Sequence, residues 1–353
     1  MNNNTTIVNG KGQILLFGLQ HFIQSIVEGD ACFICGASPN EKEFNNEHVI
    51  PNWLLKKHSL HDKKITLPNN THLSYGRYKT PCCADCNTQL GEQIESPISN
   101  LLQNDYAVIK TRIKEDPNLL KLLFHWLCLI YLKTHLKDTQ LNLSRDTRTD
   151  NGKIGDLYYW DEMHHIHCMS RVHYTQAQVE DEVYGSILIF STLTPSSEDF
   201  FDFIDNSTGK TIMLQSSDFC IMAALTDSKA GSVIMEENIA RITASIHPLQ
   251  MREIFSRLSF ICNSIKDKPR FFSTLKNGHY TIGAEVPDMI YLESLEERQT
   301  QSDYATPGDY LHFYIGRLFA GHPNEEKFLE DIKSGKIGFV FDENGEFIIH
   351  DII

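Results

Sequence analysis

The chain has 353 residues, of which 41% are hydrophobic and 22% are charged, and its formal net charge is −14. This composition is typical of an ordinary soluble globular protein, and the length favours two domains. The acidic balance opposes a general affinity for DNA, because such binding depends on neutralising phosphates.

The acidic residues are unevenly distributed along the chain. Residues 1–100 hold 8 Lys and Arg against 9 Asp and Glu, whereas the remaining residues hold 24 against 37. The N-terminal part is therefore nearly neutral, and an acidic C-terminal part would discourage non-specific DNA binding. The N-terminal part also contains six clustered basic residues, which form either a phosphate-contacting rim or a solvated loop: Lys56, Lys57, Lys63, Lys64, Arg77 and Lys79.

The sequence shows no targeting or membrane segment. The opening residues lack a basic region, and no apolar run approaches the ~18 residues of a membrane-spanning helix. Of the nine cysteines, four have paired metal spacing and the others are scattered, a pattern typical of a reducing compartment. We therefore expect a cytoplasmic protein without a membrane partner.

Three regions are expected along the chain. Residues 1–30 form a polar tail and an amphipathic helix over 13–28, which Gly29 and Asp30 end. Residues 31–104 form a small cysteine-containing module, and residues 105–353 form a larger mixed α+β domain. The module is expected to contain strands over 43–50 and 71–78, a short helix over 53–61, and a helix over 84–103 that Pro97 interrupts.

Two Cys-x-x-Cys pairs mark this module. Cys32 and Cys35 form the first pair, and Cys83 and Cys86 form the second. Four thiolates are the ligands of a closed tetrahedral zinc site, which is structural because it has no open coordination position. The adjacent Cys82 leaves open which cysteine is the ligand, and the two-residue spacer favours Cys83.

Three further polar residues accompany the cysteines. Glu47 and His48 lie between the two pairs, followed by Pro51, and Asn87 directly follows the last cysteine. This order resembles the HNH, or ββα-metal, nucleases, and especially their zinc-bound branch of phage endonuclease VII type. The resemblance covers under a fifth of the chain. It implies that His48 is the general base, that Glu47 and Asn87 hold a catalytic Mg²⁺ or Mn²⁺, and that the four cysteines hold structural Zn²⁺.

These roles are chemically reasonable, although the match has gaps. Imidazole accepts protons near neutral pH, and carboxylate and amide oxygens suit Mg²⁺ or Mn²⁺. The acidic residue is Glu where the family more commonly has Asp. The Asn that orients the base in the family has no unique counterpart, with Asn69 and Asn70 as alternatives. Glu95, on the same expected helix as Asn87, is either a further ligand or partner or a solvated charge.

The C-terminal region is expected to mix helices and strands without regular alternation. A buried helix over 119–132, a polar loop over 137–153, and hairpins at Asn206–Gly209 and Asn344–Gly345 are predicted. The cluster His164, His165 and His167 is predicted on a strand, where His165 and His167 would share a face as a metal pair or form an ordinary sheet surface.

The leading hypothesis is a divalent-metal-dependent HNH endonuclease that cuts DNA. By analogy, the architecture suits a bacterial or phage restriction or antiviral-defence effector, controlled by its C-terminal domain through a protein partner such as an ATPase or through a ligand. RNA as substrate uses the same residues and is not separated from DNA. The alternative is a non-catalytic zinc-bound module that binds nucleic acid or protein.

Overall fold

The structure, a computed structural model, describes residues 5–146, 148, 151–193, 200–299, 306–321 and 323–350. The chain divides into two compact units. Unit 1 comprises Met1–Val183 and Phe271–Glu285, and unit 2 comprises Tyr184–Arg270 and Val286–Ile353. Helices and sheets are mixed in both units, so the predicted α+β class is confirmed at that level. The division differs from the predicted boundary after residue 104, because the long helix that follows packs within unit 1.

Unit 1 is built from short strands and one long helix. Its strands are β1 (Ile7–Val8), β2 (Ile14–Leu16), β3 (Phe44–His48), β4 (Lys64–Thr66), β5 (His72–Ser74), β6 (Lys79–Cys83) and β7 (Gln178–Val179). Its helices are α1 (Leu19–Phe22), α2 (Asn52–Lys57), α3 (Ala84–Leu90), α4 (Ser96–Leu102), α5 (Tyr106–Glu115), α6 (Asn118–Asp138), α7 (Trp160–Ser170) and α8 (Val172–Thr175).

The central feature of unit 1 is the antiparallel pair of β3 and β6. Phe44 lies opposite Cys83, and His48 lies opposite Lys79. Strand β6 leads directly into α3, so two strands and a helix follow in order. The predicted second strand over 71–78 was wrong, because β5 pairs instead with β4 in a separate hairpin. That hairpin contributes Ile65 and Leu73 to a small cluster of buried apolar side chains.

The predicted helix over 84–103 forms, and its irregularity lies before Pro97. Helix α3 passes into a π-helical turn at Gly91–Glu95, and α4 then begins with Pro97 in its first turn. The wider turn accommodates a residue that has no N–H to donate to the helix. The Ser96 hydroxyl donates to the Gly91 carbonyl at 2.8 Å.

The predicted N-terminal helix over 13–28 is shorter than expected. Residues Ile14–Leu16 form β2 and pair with β1, and helical structure occupies only Leu19–Phe22 and the π-helical Ile23–Val27. The apolar residues counted as one helical stripe therefore belong to two elements. A run of three apolar residues is compatible with either a strand or a helix.

Helix α6 is the longest element of unit 1 and is buried over most of its length. It is long and apolar enough to cross a membrane, but 72% of its most apolar window is buried within the structure. That is weak evidence for a span, since the core helix of a soluble protein passes the same test. The loop predicted over 137–153 begins two residues later, after Asp138.

Unit 2 is organised around one antiparallel sheet in the order β8–β11–β10–β9. The strands are β8 (Ile187–Ser191), β9 (Phe201–Asn206), β10 (Thr211–Ser216) and β11 (Phe219–Ala224). The predicted hairpin at Asn206–Gly209 is confirmed, with the Asn206 side chain accepting the Gly209 N–H at 2.6 Å. The central strands β10 and β11 are buried at every residue. Only β11 is a continuous apolar run, because β10 also buries the polar residues Thr211, Gln215 and Ser216.

Helices cover the sheet and carry the C-terminal part of the chain. They are α9 (Ala230–Ala240), α10 (Pro248–Ser264), α11 (Leu295–Gln299), α12 (Pro307–Ile315) and α13 (Glu325–Lys333). Strands β12 (Arg270–Lys276) and β13 (His279–Glu285) add to the strands of unit 1, where they join β7 in a three-stranded sheet in the order β12–β13–β7. The predicted C-terminal hairpin is reduced to one bridge between Phe341 and Phe347 around the Asn344–Gly345 turn.

Candidate functional site

The two Cys-x-x-Cys pairs are placed by different elements of unit 1. Cys32 and Cys35 lie in a tight turn, where the Gly36 N–H donates to the Cys32 carbonyl at 2.8 Å. Gly36 has φ +81°, and a Cβ there would lie 2.6 Å from the ring of Phe17. Only glycine suits both conditions. Cys83 ends β6, and Cys86 lies in the first turn of α3.

The four sulfur atoms converge on one point. Those of Cys32, Cys35, Cys83 and Cys86 all lie within 4.8 Å of one another, and the Cys35 and Cys83 sulfurs are 3.6 Å apart. Zinc–sulfur bonds of ~2.3 Å in a tetrahedron place sulfurs about 3.8 Å apart, so the cluster has the size and donor chemistry of a zinc site. It can therefore hold a metal ion such as zinc.

The converging set contains Cys83, the cysteine that the two-residue spacer favours. The Cys82 sulfur lies 3.9 Å from that of Cys32 but outside the set. Hydrogen bonds from Cys35, Cys82 and Cys86 lower the pKa of Cys32, and the same contact raises the pKa of Cys35 to about 12.

Helix α7 and Arg171, which lies between α7 and α8, contact the backbone of the Cys32–Cys35 turn. The guanidinium of Arg171 is fully buried and donates to the Ile34 carbonyl at 2.5 Å, as well as to two carbonyls of β2. The Nε2 atom of His167 lies 2.8 Å from the Phe33 carbonyl. The backbone between the two cysteines is therefore fixed by side chains more than 130 positions away in sequence.

The histidine cluster over 164–167 lies on helix α7, so its prediction as a strand was wrong. The Nε2 atom of His164 is 2.7 Å from the Phe17 carbonyl, and the ring of His165 stacks on Phe271 at a centroid distance of 3.5 Å. On a helix, His165 and His167 no longer share a face. Among the described residues, the cysteine cluster is the one convergent group of metal-type side chains.

Glu47, the predicted metal ligand on β3, is buried and bound to a lysine. The ammonium of Lys133, on α6, lies 2.8 Å from Glu47 Oε1 and donates to the His48 carbonyl at 2.8 Å. Burial alone would lower the pKa of Lys133, but Glu47 and Glu95 raise it above its ordinary value. The ammonium therefore stays charged beside the carboxylate.

Glu95 contacts the same ammonium. Its Oε1 is 3.6 Å from Lys133 Nζ, and its carboxyl shares a hydrogen bond with Glu47. Burial raises the pKa of Glu95 to about 7, although Lys133 opposes the shift. Of the alternatives left open by the sequence, a solvated helix charge does not describe Glu95, which is a partner of Glu47.

His48 faces away from Glu47, as expected for neighbours on a strand. Its ring lies edge-on to His61 at a centroid distance of 6.2 Å, and it is half-buried. Burial lowers the pKa of His48, and the nearby charge of Lys79 lowers it further. A neutral imidazole beside basic groups can accept a proton near a bound anion.

The structure places Asn87 beside Asn45. The Asn87 amide lies in α3 and donates to the Asn45 side chain at 2.8 Å. Asn45 and Glu47 are two residues apart on β3 and so share one of its faces. Of the two candidates for the middle asparagine, Asn69 binds the Asn142 carbonyl at 2.8 Å, and Asn70 occupies a turn with φ 60°.

The basic residues of the N-terminal part are mostly accessible. Lys79 lies opposite His48 on β6. Lys57 is half-buried and donates to the Leu102 carbonyl at 3.2 Å. The remaining four are exposed and follow the region between β3 and β6: Lys56, Lys63, Lys64 and Arg77.

Sequence reasoning missed Lys133 and Arg171. Both are almost fully inaccessible, with exposures of 2% and 0%. The available signal for Lys133 was its position inside the apolar run of α6, since a charge within a buried helix needs a partner. Identifying Glu47 and Glu95 as those partners required the fold.

Comparisons of the chain with protein-family models, with curated proteins and with solved structures found no match.

Proposed function

We propose that the β3–β6–α3 segment of unit 1 is a divalent-metal-dependent endonuclease module of the HNH type, acting on DNA. One arrangement carries this proposal: Glu47 and His48 end the first strand, and the paired strand leads into the helix that bears Asn87. The four-cysteine cluster ties that helix to the turn before the first strand. The order of these elements along the chain supports the proposal.

In this proposal His48 is the general base. Its ring is half-buried with a lowered pKa, so it is neutral near pH 7 and can take a proton from water. The resulting hydroxide attacks the phosphorus, the bond from phosphorus to the 3′ oxygen breaks, and that oxygen is protonated. The products are a 5′ phosphate and a 3′ hydroxyl. Lys79 and the exposed basic residues would contact neighbouring phosphates.

Glu47 is the residue best placed to hold a divalent ion, with Glu95 beside it. Both carboxylates already face a cation, the Lys133 ammonium, and carboxylate oxygens are what Mg²⁺ and Mn²⁺ prefer. Asn87 would join them if its amide exchanged Asn45 for the ion. When bound, such an ion neutralises charge on the phosphate and on the leaving oxygen.

A second candidate function is a non-catalytic zinc-bound module that binds nucleic acid or protein. Two contacts favour it: the Glu47 carboxylate is paired with Lys133, and the Asn87 amide is paired with Asn45. A module that had exchanged its catalytic ion for an internal ion pair would keep the cysteine cluster and lose cleavage.

Unit 2 would then control when or where the module acts. The C-terminal part carries most of the net negative charge, which discourages non-specific DNA binding. A regulatory protein such as an ATPase, or a ligand, would bind unit 2 in a bacterial or phage defence effector, by analogy with other HNH proteins.

The test is cleavage of plasmid and single-stranded DNA with Mg²⁺ or Mn²⁺ by the full chain. We expect His48→Ala to reduce cleavage by at least about 100-fold, the usual contribution of a general base. The matched control is His72→Ala, which changes an exposed histidine of β5 in the same module. Zinc content is measured on the same preparations.

Three outcomes separate the two functions. Cleavage that requires His48 but not His72, from zinc-containing protein, supports the nuclease. Cleavage that His48→Ala leaves near the wild-type rate removes His48 from the mechanism. Zinc-containing protein that binds DNA, yet cuts neither substrate with either metal, favours the non-catalytic module.

A further inference from the structure

The Lys133 ammonium contacts both of the carboxylates, Glu47 and Glu95, that the proposed function assigns to a divalent ion. It is 2.8 Å from Glu47 Oε1 and 3.6 Å from Glu95 Oε1, and its third contact is the His48 carbonyl at 2.8 Å. All three contacts are to oxygen, the ligand type of Mg²⁺ and Mn²⁺. The two carboxylates thus already have a cation, the buried Lys133 ammonium, beside them.

We propose that Lys133 is a built-in counter-cation that competes with a divalent ion for Glu47 and Glu95 and so sets the metal concentration at which the site fills. The inference rests on the proposed function, which makes Glu47 a metal ligand. It adds a positioning residue on α6 that no sequence motif marks. Lys133 touches neither substrate nor reacting water and acts only through the two carboxylates.

The competition follows from charge. With Lys133 in place, one ammonium already offsets part of the charge of the two carboxylates, and a divalent ion arriving between them meets a like charge at close range. With Lys133 removed, two buried carboxylates face each other without a cation, which is costly until one is bound. The lysine therefore weakens divalent binding and stabilises the protein when the ion is scarce.

Access and rigidity support this role. The Glu47 and Glu95 side chains are 10% and 19% exposed, whereas that of Lys133 is 2% exposed, so the carboxylates are nearer to solvent than the ammonium. The backbone of Lys133 belongs to buried helix α6, which packs against β6. The ammonium is therefore carried by a packed helix.

The experiment measures Mn²⁺ binding to the zinc-loaded full chain, by calorimetry and by the change in melting temperature. We expect Lys133→Met to bind Mn²⁺ about tenfold or more tightly than wild type, given the strength of close charge interactions. Its melting temperature should rise more on addition of Mn²⁺. The matched control is Lys137→Met, the same change one turn later on α6, where the ammonium binds Gln140 near the surface; it should behave as wild type.

A lysine that serves only packing gives a different result. Lys133→Met would then be less stable at every Mn²⁺ concentration, with Mn²⁺ affinity equal to that of wild type and of Lys137→Met, and the inference would be overturned. If Lys133→Met folds only when Mn²⁺ is present, the competition is supported.

If Lys133→Met is insoluble with and without Mn²⁺, the Mn²⁺ affinity of Glu95→Gln provides the test. It removes one carboxylate and leaves a neutral Lys133–Glu47 pair, so Mn²⁺ affinity should fall. Unchanged affinity would overturn the inference. Failure of cleavage leaves these binding results readable, so the nuclease proposal and the lysine competition fail separately.

Discussion

The cysteine cluster and the acidic pair around Lys133 lie in the same module but are built in opposite ways. In the cluster, four side chains of one chemistry converge within 4.8 Å, and a metal ion such as zinc could balance them. Around Lys133, the chain supplies its own cation, and each carboxylate oxygen nearest the ammonium already has a partner. One site can hold a metal, whereas the other is balanced without one.

This difference explains which site the sequence could reveal. Thiolates bind zinc through local spacing, because two cysteines in one turn aim at one point. A buried carboxylate can be balanced by any cation that the fold brings near. Its partner here, Lys133, is 86 positions away from Glu47. Local spacing is visible in a sequence, and a long-range partner is not.

The largest expected effect is loss of the cluster. Cys83→Ser should abolish zinc binding and leave insoluble or unfolded protein, because the binding energy of a structural zinc, about 10 kcal/mol or more, is also folding energy. The measurement is zinc content by elemental analysis, together with the soluble yield. Cys35→Ser should behave alike.

Cys82→Ser is the matched control for that prediction. Its sulfur lies outside the convergent set, although it is 3.9 Å from that of Cys32. The variant should retain zinc and fold. Zinc loss in Cys82→Ser with retention in Cys83→Ser would exchange the roles of the two cysteines.

The next largest effect tests the internally balanced site. Glu47→Gln removes the carboxylate nearest to a fully buried ammonium but leaves Glu95 at 3.6 Å, so the expected cost is that of a hydrogen bond to a charged group, about 1.5–3 kcal/mol. The free energy of unfolding in urea should fall by about that amount, while zinc content stays at the wild-type value. Glu43→Gln, an exposed neighbour just before β3, should change stability by less than ~0.5 kcal/mol. Equal losses in the two variants would show that the Lys133 contact is not significant.

Parts of the fold were predictable for the same physical reason as the cluster. The Asn206–Gly209 hairpin, α2 and α6 follow from local turn chemistry and apolar runs. The second strand of the module was misplaced because residues 72–74 and 79–83 both form short strands. Long-range packing decides that 79–83, and not 72–74, pairs with β3. The histidines of α7 were predicted as a strand surface or a metal pair. Their observed partners, the carbonyls of Phe17 and Phe33, are distant in sequence and so could not be predicted.

A third buried polar group extends the comparison to pH. Burial, together with the charges of His173 and Lys121, lowers the pKa of His125, on α6, from 6.5 to about 4. Because the folded-state pKa is below the unfolded-state value, the neutral ring favours folding fully above pH 6.5. That contribution is lost as pH falls from 6.5 towards 4, by about 1.4 kcal/mol per pH unit.

The measurement is the free energy of unfolding between pH 7 and the acid limit of folding. His125→Leu should give a shallower loss of stability below pH 6.5 than wild type. His279→Leu, at an exposed histidine of β13, should keep the wild-type slope. An unchanged slope in His125→Leu would mean that this ring does not couple protonation to folding.

The smallest effect concerns the ion pair that lies next to the cysteine cluster. Lys42 Nζ is 2.9 Å from the Asp85 carboxylate, between Cys83 and Cys86 in sequence, with side-chain exposures of 38% and 70%. Water screens such a pair, so Lys42→Ala should cost less than about 1 kcal/mol and leave zinc content unchanged. Thermal melting at low and high salt provides the measurement. A loss as large as that of Glu47→Gln, or release of zinc, would show that the cysteine cluster depends on this surface charge. The cluster would then rely on a charge supplied by the chain, as the Lys133 site does, and the distinction between the two sites would not hold.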